Sequence, residues 1–147
     1  MDDYPEILTR IGGILAGLNP FELKFSGFAF FPPRPDRTFY IKPDECSGKQ
    51  IIKYCKTIQD HCDTRFRKKY SWTNEAKKDP HMSVGHDILE SEVLACNTLA
   101  NEGFEKSFSC DSFVIRRFNE SKRQYDIIDT IPLLGQEYIA GEQLSLF

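Results

Sequence analysis

Among the residues of this sequence able to move a proton near neutral pH, His81 has the most telling neighbour. The stretch Pro80-His81-Met82-Ser83-Val84-Gly85 puts a hydroxyl two positions on. Read as a strand, it turns the side chains of His81 and Ser83 to one face, and leaves Met82 and Val84 to pack inward from the other. A neutral imidazole can take up a proton and return it, while a hydroxyl beside it can hydrogen-bond a phosphoryl oxygen. The pair is a candidate acid/base and anchoring unit, although a lone strand histidine is more often a structural residue.

Other chemistries have weaker support. Cys55, His61, Cys62, His81 and His86 offer zinc-binding atoms, but without the paired Cys-x-x-Cys or His-x₃-His spacing of a zinc site. No cysteine has a recognisable activating neighbourhood, and no Gly-rich phosphate loop is present. The expectation is a site with no cofactor and no metal. Five cysteines, an odd and scattered set, read as reduced.

Composition points to one ordinary domain. The chain has 147 residues, 40% of them hydrophobic, and a net charge of -3, which gives no general attraction to polyanions. Basic clusters at Arg65 to Lys69 and at Arg116-Arg117 are local. No apolar run reaches the roughly 20 residues needed to cross a bilayer, and Met1-Asp2-Asp3-Tyr4 lacks the features of a signal peptide. A cytoplasmic protein with no membrane partner is expected.

The elements that must position His81 follow from periodicity. Ile7, Leu8, Ile11, Ile14, Leu15 and Leu18 mark an amphipathic helix, stopped by Asn19-Pro20 and weakened by Gly12, Gly13 and Gly17, so that it needs tertiary packing. Phe21-Glu22-Leu23-Lys24-Phe25 alternates strictly, and the apolar phase shifts across Ser26-Gly27 as it does at a bulge. After the turn Pro32-Pro33-Arg34-Pro35-Asp36, Arg37-Thr38-Phe39-Tyr40-Ile41 returns as the second strand of an antiparallel hairpin. Ser47-Gly48-Lys49-Gln50 resembles a capping box, opening a helix with Ile51, Cys55, Ile58, Cys62 and Phe66 on one face. A basic loop with Trp72, read as a core anchor, leads to the His81 strand. Leu89, Val93, Cys96, Leu99 and Ala100 mark a third helix, closed by Asn101-Glu102-Gly103.

The remainder repeats what came before. Phe108 and Cys110 alternate, Asp111-Ser112 interrupts, Phe113 and Ile115 resume in the other phase, and Arg123 to Ile128 forms a last strand. An offset of 85 carries Leu8 to Val93, Ile11 to Cys96, Phe25 to Cys110 and Phe28 to Phe113; an offset of 86 carries Arg37, Phe39 and Ile41 to Arg123, Tyr125 and Ile127. A helix and a bulged hairpin thus occur twice, which predicts an α+β fold of two pseudo-symmetric lobes of antiparallel sheet plus helices around a central cleft. The domain is expected over residues 1–135, with 136–147 as a tail. The repeat counterpart of His81 would fall about four residues ahead of Met1, so the N-terminal part of the first lobe is expected to be missing.

With its preceding bulged strand, Pro-Arg-Pro turn and Arg37-to-Ile41 strand, the His81 hexapeptide resembles the 2'-5' RNA ligase-like branch of the two-histidine (2H) phosphoesterase superfamily, from the first helix to about Leu134. The resemblance implies two His-x-Ser/Thr motifs facing each other across a cleft, without a metal. It implies hydrolysis of 2',3'-cyclic phosphates or reversible 2'-5' joining of RNA ends, with RNA termini or small nucleotides as partners. His81 and Ser83 match the second motif, as proton-transfer residue and phosphate anchor. The first motif is absent from this sequence. His61 has its hydroxyl at the wrong spacing, and His86 points away from His81 by strand parity but is a candidate substrate contact at the strand end. The alternative is a catalytically inactive nucleotide-binding or interaction module on the same fold. Sheet edges exposed by missing strands would offer a surface for a partner chain or a homo-oligomer.

Overall fold

The alternation from Phe21 becomes a ten-residue strand, β1 (Phe21–Phe30), in a computed structural model that describes residues 3–31, 37–62 and 79–136. It pairs antiparallel with β2 (Arg37–Pro43), and the register slips between Phe25↔Pro43 and Phe28↔Ile41. Gly27 sits in the slip at φ +80°, a conformation that glycine adopts without steric cost. The bulge inferred from the change of apolar phase is therefore present.

β3 (Met82–Ile88) lies antiparallel on the far side of β2, and β4 (Glu105–Cys110) lies beside β1, giving a four-stranded sheet in the order β3-β2-β1-β4. The inward face of β2 carries Phe39, only 2% exposed and packed by Phe28 and Phe30 at centroid distances of 5.0 and 4.8 Å. Ile41 and Leu23 are buried as well.

α2 (Glu45–His61) begins one turn earlier than a Ser47 cap would require. Asp44 is the cap, its carboxylate accepting the Ser47 N–H at 2.7 Å. Ser47 is thereby free for another task, and its hydroxyl accepts the Lys24 N–H at 2.9 Å, tying the start of the helix to β1.

The described residues divide into two compact units, 22–31 and 37–56 with 79–109, and 3–21 with 57–62 and 110–136. The first holds the four-stranded sheet. It also holds α3 (Val93–Asn101), which follows a 3₁₀ turn at Glu90–Glu92 and is closed by Gly103 at φ +77°. Leu89 and Leu99 are exposed, contrary to the continuous apolar face expected of this helix; the 3₁₀ turn takes Leu89 out of helical phase.

The second unit contains α1 (Tyr4–Ala16) and a two-stranded sheet of β5 (Ser112–Asn119) and β6 (Gln124–Pro132). The Tyr4 hydroxyl donates to Asp129 on β6, the Arg117 guanidinium lies 5.9 Å from the Tyr4 ring, and Leu15 is buried. The backbone N–H groups of Gly135 and Gln136 donate to the carbonyls of Leu18 and Ala16, both at 2.9 Å. This is the tertiary packing that a helix with two internal glycines requires.

Element order repeats as expected, α1-β1-β2 and then α3-β4-β5-β6, with the second long strand broken at Asp111, the position equivalent to Ser26. The register corrects one correspondence. Phe28 pairs with Ile41, 13 positions on, whereas Phe113 pairs with Ile131, 18 positions on, so the second hairpin is longer. Buried Ile131, not Ile127, takes the place of buried Ile41. The expected Pro-rich turn at 32–36, the helix beyond Cys62, the loop with Trp72 and the tail from 137 lie outside the described residues. Among the described residues, no helix is long and apolar enough to cross a membrane.

Candidate functional site

β3 does the positioning, but not by simple alternation. The strand starts at Met82, so His81 precedes its first residue rather than lying within it. Ser83 pairs with Tyr40, yet Gly85 pairs with Phe39 and Ile88 with Arg37. One extra residue, Val84, is looped out in the first interval. In the second, His86 and Asp87 stand opposite Thr38 alone, with Asp87 at φ +58°.

Two expectations fall with these bulges. Met82 and Val84 do not pack inward; they are 45% and 51% exposed, because β3 is an edge strand and Val84 is the extruded residue. Nor does His86 point away. Its Nδ1 is 3.1 Å from the Thr38 hydroxyl, and Thr38 shares a face of β2 with Tyr40, the partner of Ser83. Each bulge reverses the parity that uninterrupted pairing would impose.

His81 is held by three groups. Its Nδ1 lies 2.7 Å from the Asp79 carbonyl oxygen. A carbonyl only accepts, so Nδ1 carries the proton, and in the neutral ring Nε2 bears the lone pair. The ring meets Phe31 edge-on, at 4.7 Å and 86°, and leans on Tyr40 at 5.4 Å, while Phe31 and Tyr40 pack on each other at 4.4 Å. His81 itself is exposed, and Nε2 has no hydrogen-bond partner among the described residues. Burial, and secondarily the charge of Asp79, push the Tyr40 phenol above its ordinary range, so that it stays protonated and able to donate.

The face that results carries Phe31, Thr38, Tyr40, His81, Ser83 and His86. Phe31, Thr38 and Tyr40 were not singled out from sequence, although the signal was there: in Arg37-Thr38-Phe39-Tyr40-Ile41, burial of Phe39 and Ile41 sends Thr38 and Tyr40 to the other side. Arg37 is engaged by Glu90 at 2.8 Å. His61 ends α2 with its Nδ1–H on the Thr57 carbonyl at 2.9 Å, a local helix contact. A separate cleft of about 410 Å³ is lined by Lys24, Phe25, Ser26, Asp44, Glu105, Lys106 and Ser107, and holds none of these face residues. Its two lysines are matched by two carboxylates.

The arrangement can accept a proton at Nε2 of a fixed imidazole and offer hydroxyl groups to an anion on the same face. Comparison with known proteins then supplies the lineage. A model of the 2'-5' RNA ligase superfamily matches residues 1–122. The chain belongs to that superfamily. No curated protein and no solved structure was found to match it. For a superfamily member, the match runs through β1, β2 and β3 and so includes His81, Ser83 and His86.

Proposed function

We propose that this superfamily member acts on RNA ends or nucleotides bearing a 2',3'-cyclic phosphate, opening the ring or joining 2'-5' ends by metal-independent histidine acid/base chemistry. His81 transfers the proton at Nε2. Ser83 hydrogen-bonds a non-bridging phosphoryl oxygen, and His86, braced by Thr38, contacts substrate further along the strand. The observation that supports this reading is the Nδ1–H bond from His81 to the Asp79 carbonyl, which leaves the exposed Nε2 available for proton exchange.

In-line opening of a cyclic phosphate needs a base for the attacking water and an acid for the departing ribose oxygen, on opposite sides of phosphorus. A single imidazole serves one side. The other is assigned to a second proton-transfer group, for which a further His-x-Ser/Thr unit is the natural source; without one, activity is impaired.

The test is hydrolysis of a 2',3'-cyclic nucleotide by the full chain, with and without chelator, beside His81→Ala and Ser83→Ala. The expected result is chelator-resistant turnover that falls roughly 10²- to 10⁴-fold in His81→Ala and less in Ser83→Ala. Full activity in His81→Ala overturns the assignment. A folded chain that binds the nucleotide without turning it over would instead be a binding module.

A further inference from the structure

The longer second hairpin carries a surface that the site above does not use. Beyond the slip in register between Ile115↔Asp129 and Arg116↔Ile127, the outer part of β5 and β6 continues as the pairs Arg116↔Ile127, Arg117↔Asp126, Phe118↔Tyr125 and Asn119↔Gln124. Alternation puts Arg116, Phe118, Tyr125 and Ile127 on one face. Phe118, Tyr125 and Ile127 are 49%, 55% and 62% exposed, an unusual outlay of large apolar side chains on a ribbon.

They also pack on one another. The Phe118 and Tyr125 rings meet edge to face at 5.1 Å. The Arg116 guanidinium lies 5.2 Å from the Tyr125 ring centroid, and its Nη2 donates to the Tyr125 carbonyl at 3.2 Å. The tip is fixed by the Asn119 side-chain oxygen, which accepts from the Ser121 N–H, the Ser121 hydroxyl and the Lys122 N–H at 3.1, 2.7 and 3.2 Å.

Charge is divided between the two faces. Asp126 is on the opposite side, held by Asn119 at 2.7 Å and Lys122 at 3.2 Å, and Asp129 beyond the slip receives the Tyr4 hydroxyl. Arg116 and Arg123 have no carboxylate within ion-pair distance among the described residues. Of the four cations in residues 116–127, Arg117 stands opposite Asp126 on the other face and Lys122 is bonded to Asp126, which leaves Arg116 and Arg123 un-neutralised in a chain of net charge -3. Packed aromatic rings on a strand surface, beside an arginine that no carboxylate neutralises, are what stacked bases and their phosphates need. A second copy of the chain would bring the same positive charge against this face.

We propose that the outer face of the β5–β6 hairpin is a base-stacking ledge for single-stranded RNA, with Phe118 and Tyr125 as the stacking rings and Arg116 as the guanidinium plane. The proposal rests on the reading of the protein as one that acts on RNA ends, and narrows it from small cyclic nucleotides to RNA strands.

The experiment is fluorescence anisotropy of a labelled 12-nucleotide oligouridylate titrated with the full chain, at two salt concentrations, beside Phe118→Ala, Tyr125→Ala, Arg116→Gln and the aromatic-conserving Tyr125→Phe. Thermal melts verify that each variant is folded. Each ring removed should weaken binding roughly 5- to 100-fold, while Tyr125→Phe retains it. Arg116→Gln should weaken binding and flatten its salt dependence. No RNA binding by the wild type, or equal binding by all variants, overturns the ledge. So does a change of sedimentation coefficient in the alanine variants with RNA affinity unchanged, which would assign the face to a second copy. The losses should be the same in a His81→Ala background. Absent cyclic-nucleotide hydrolysis together with intact, ring-dependent RNA binding would sink the proposed chemistry but not the ledge.

Discussion

Ser83 stands opposite Tyr40 across the β2–β3 ladder, and two residues later Gly85 stands opposite Phe39 rather than Thr38. The single residue gained at Val84 decides what the site contains. With unbroken pairing, Thr38 would face Gly85; instead its hydroxyl meets the imidazole of His86. His86 thereby comes to the side that bears Tyr40, on which His81, just ahead of the strand, also leans.

Tyr40 is predicted to act as a positioning residue through its ring. Tyr40→Ala removes one of the two aromatic walls of His81 and, on the proposed chemistry, should lower kcat for cyclic-nucleotide hydrolysis by about 10- to 100-fold, the scale of cost that misplacing a reacting group carries. Tyr40→Phe keeps the wall and should stay near wild type. Steady-state kinetics on both variants check this, and an equal loss in the two would shift the role to the phenol hydroxyl, which stays protonated.

Much of this fold is legible in the sequence, for a physical reason. Apolar phase in a strand reports which face is buried, so the shift at Ser26-Gly27 gave away the bulge, and the repeat of the pattern gave away the second hairpin. Phase is silent where neither face is buried. Met82, Val84 and His86 are all exposed on an edge strand, so nothing in their polarity betrays the extra residue at Val84. The one clue is Gly85, a residue that marks bulges when it falls inside a strand. The hairpin register is hidden from the sequence for a related reason. Tyr125 and Ile127 are apolar but exposed, and they imitate the core pattern that Asp129 and Ile131 actually continue.

Gly85 is predicted to be held by packing against Ile88. A Cβ there would lie 2.9 Å from Ile88 Cδ1, closer than such contacts allow, although the obstructing atom is the end of a side chain. Gly85→Ala should therefore destabilise by about 1 kcal/mol. Ile88→Val deletes the offending methyl, so the double variant should recover most of that loss. Urea unfolding of the four species closes the cycle, and strict additivity would show that the contact is not the cause.

Phe39 should be the most costly single truncation in the sheet. It is almost wholly buried and packed on both sides by Phe28 and Phe30, so Phe39→Ala is predicted to cost about 3–5 kcal/mol. Denaturant midpoints measure it, with Phe118→Ala as the exposed control, expected to shift stability by less than about 1 kcal/mol.

Asp44 gives the fold a dependence on acid. The Ser47 backbone and side chain, in that order, hold its carboxyl below the ordinary range, because only the ionised form accepts both bonds fully. A depressed folded-state value contributes stability that is present above the unfolded value, near pH 4, and is lost as the pH falls through the folded value below it. Asp44→Ala should thus lower Tm by about 2–4 °C at pH 7, by loss of the cap, and by progressively less as the pH drops below about 4. Paired melts of wild type and variant at pH 7, 4 and 3 read this directly. The two curves should converge on the acid side; a gap that stays constant would mean that the cap acts through packing at the first turn of α2 and not through its charge.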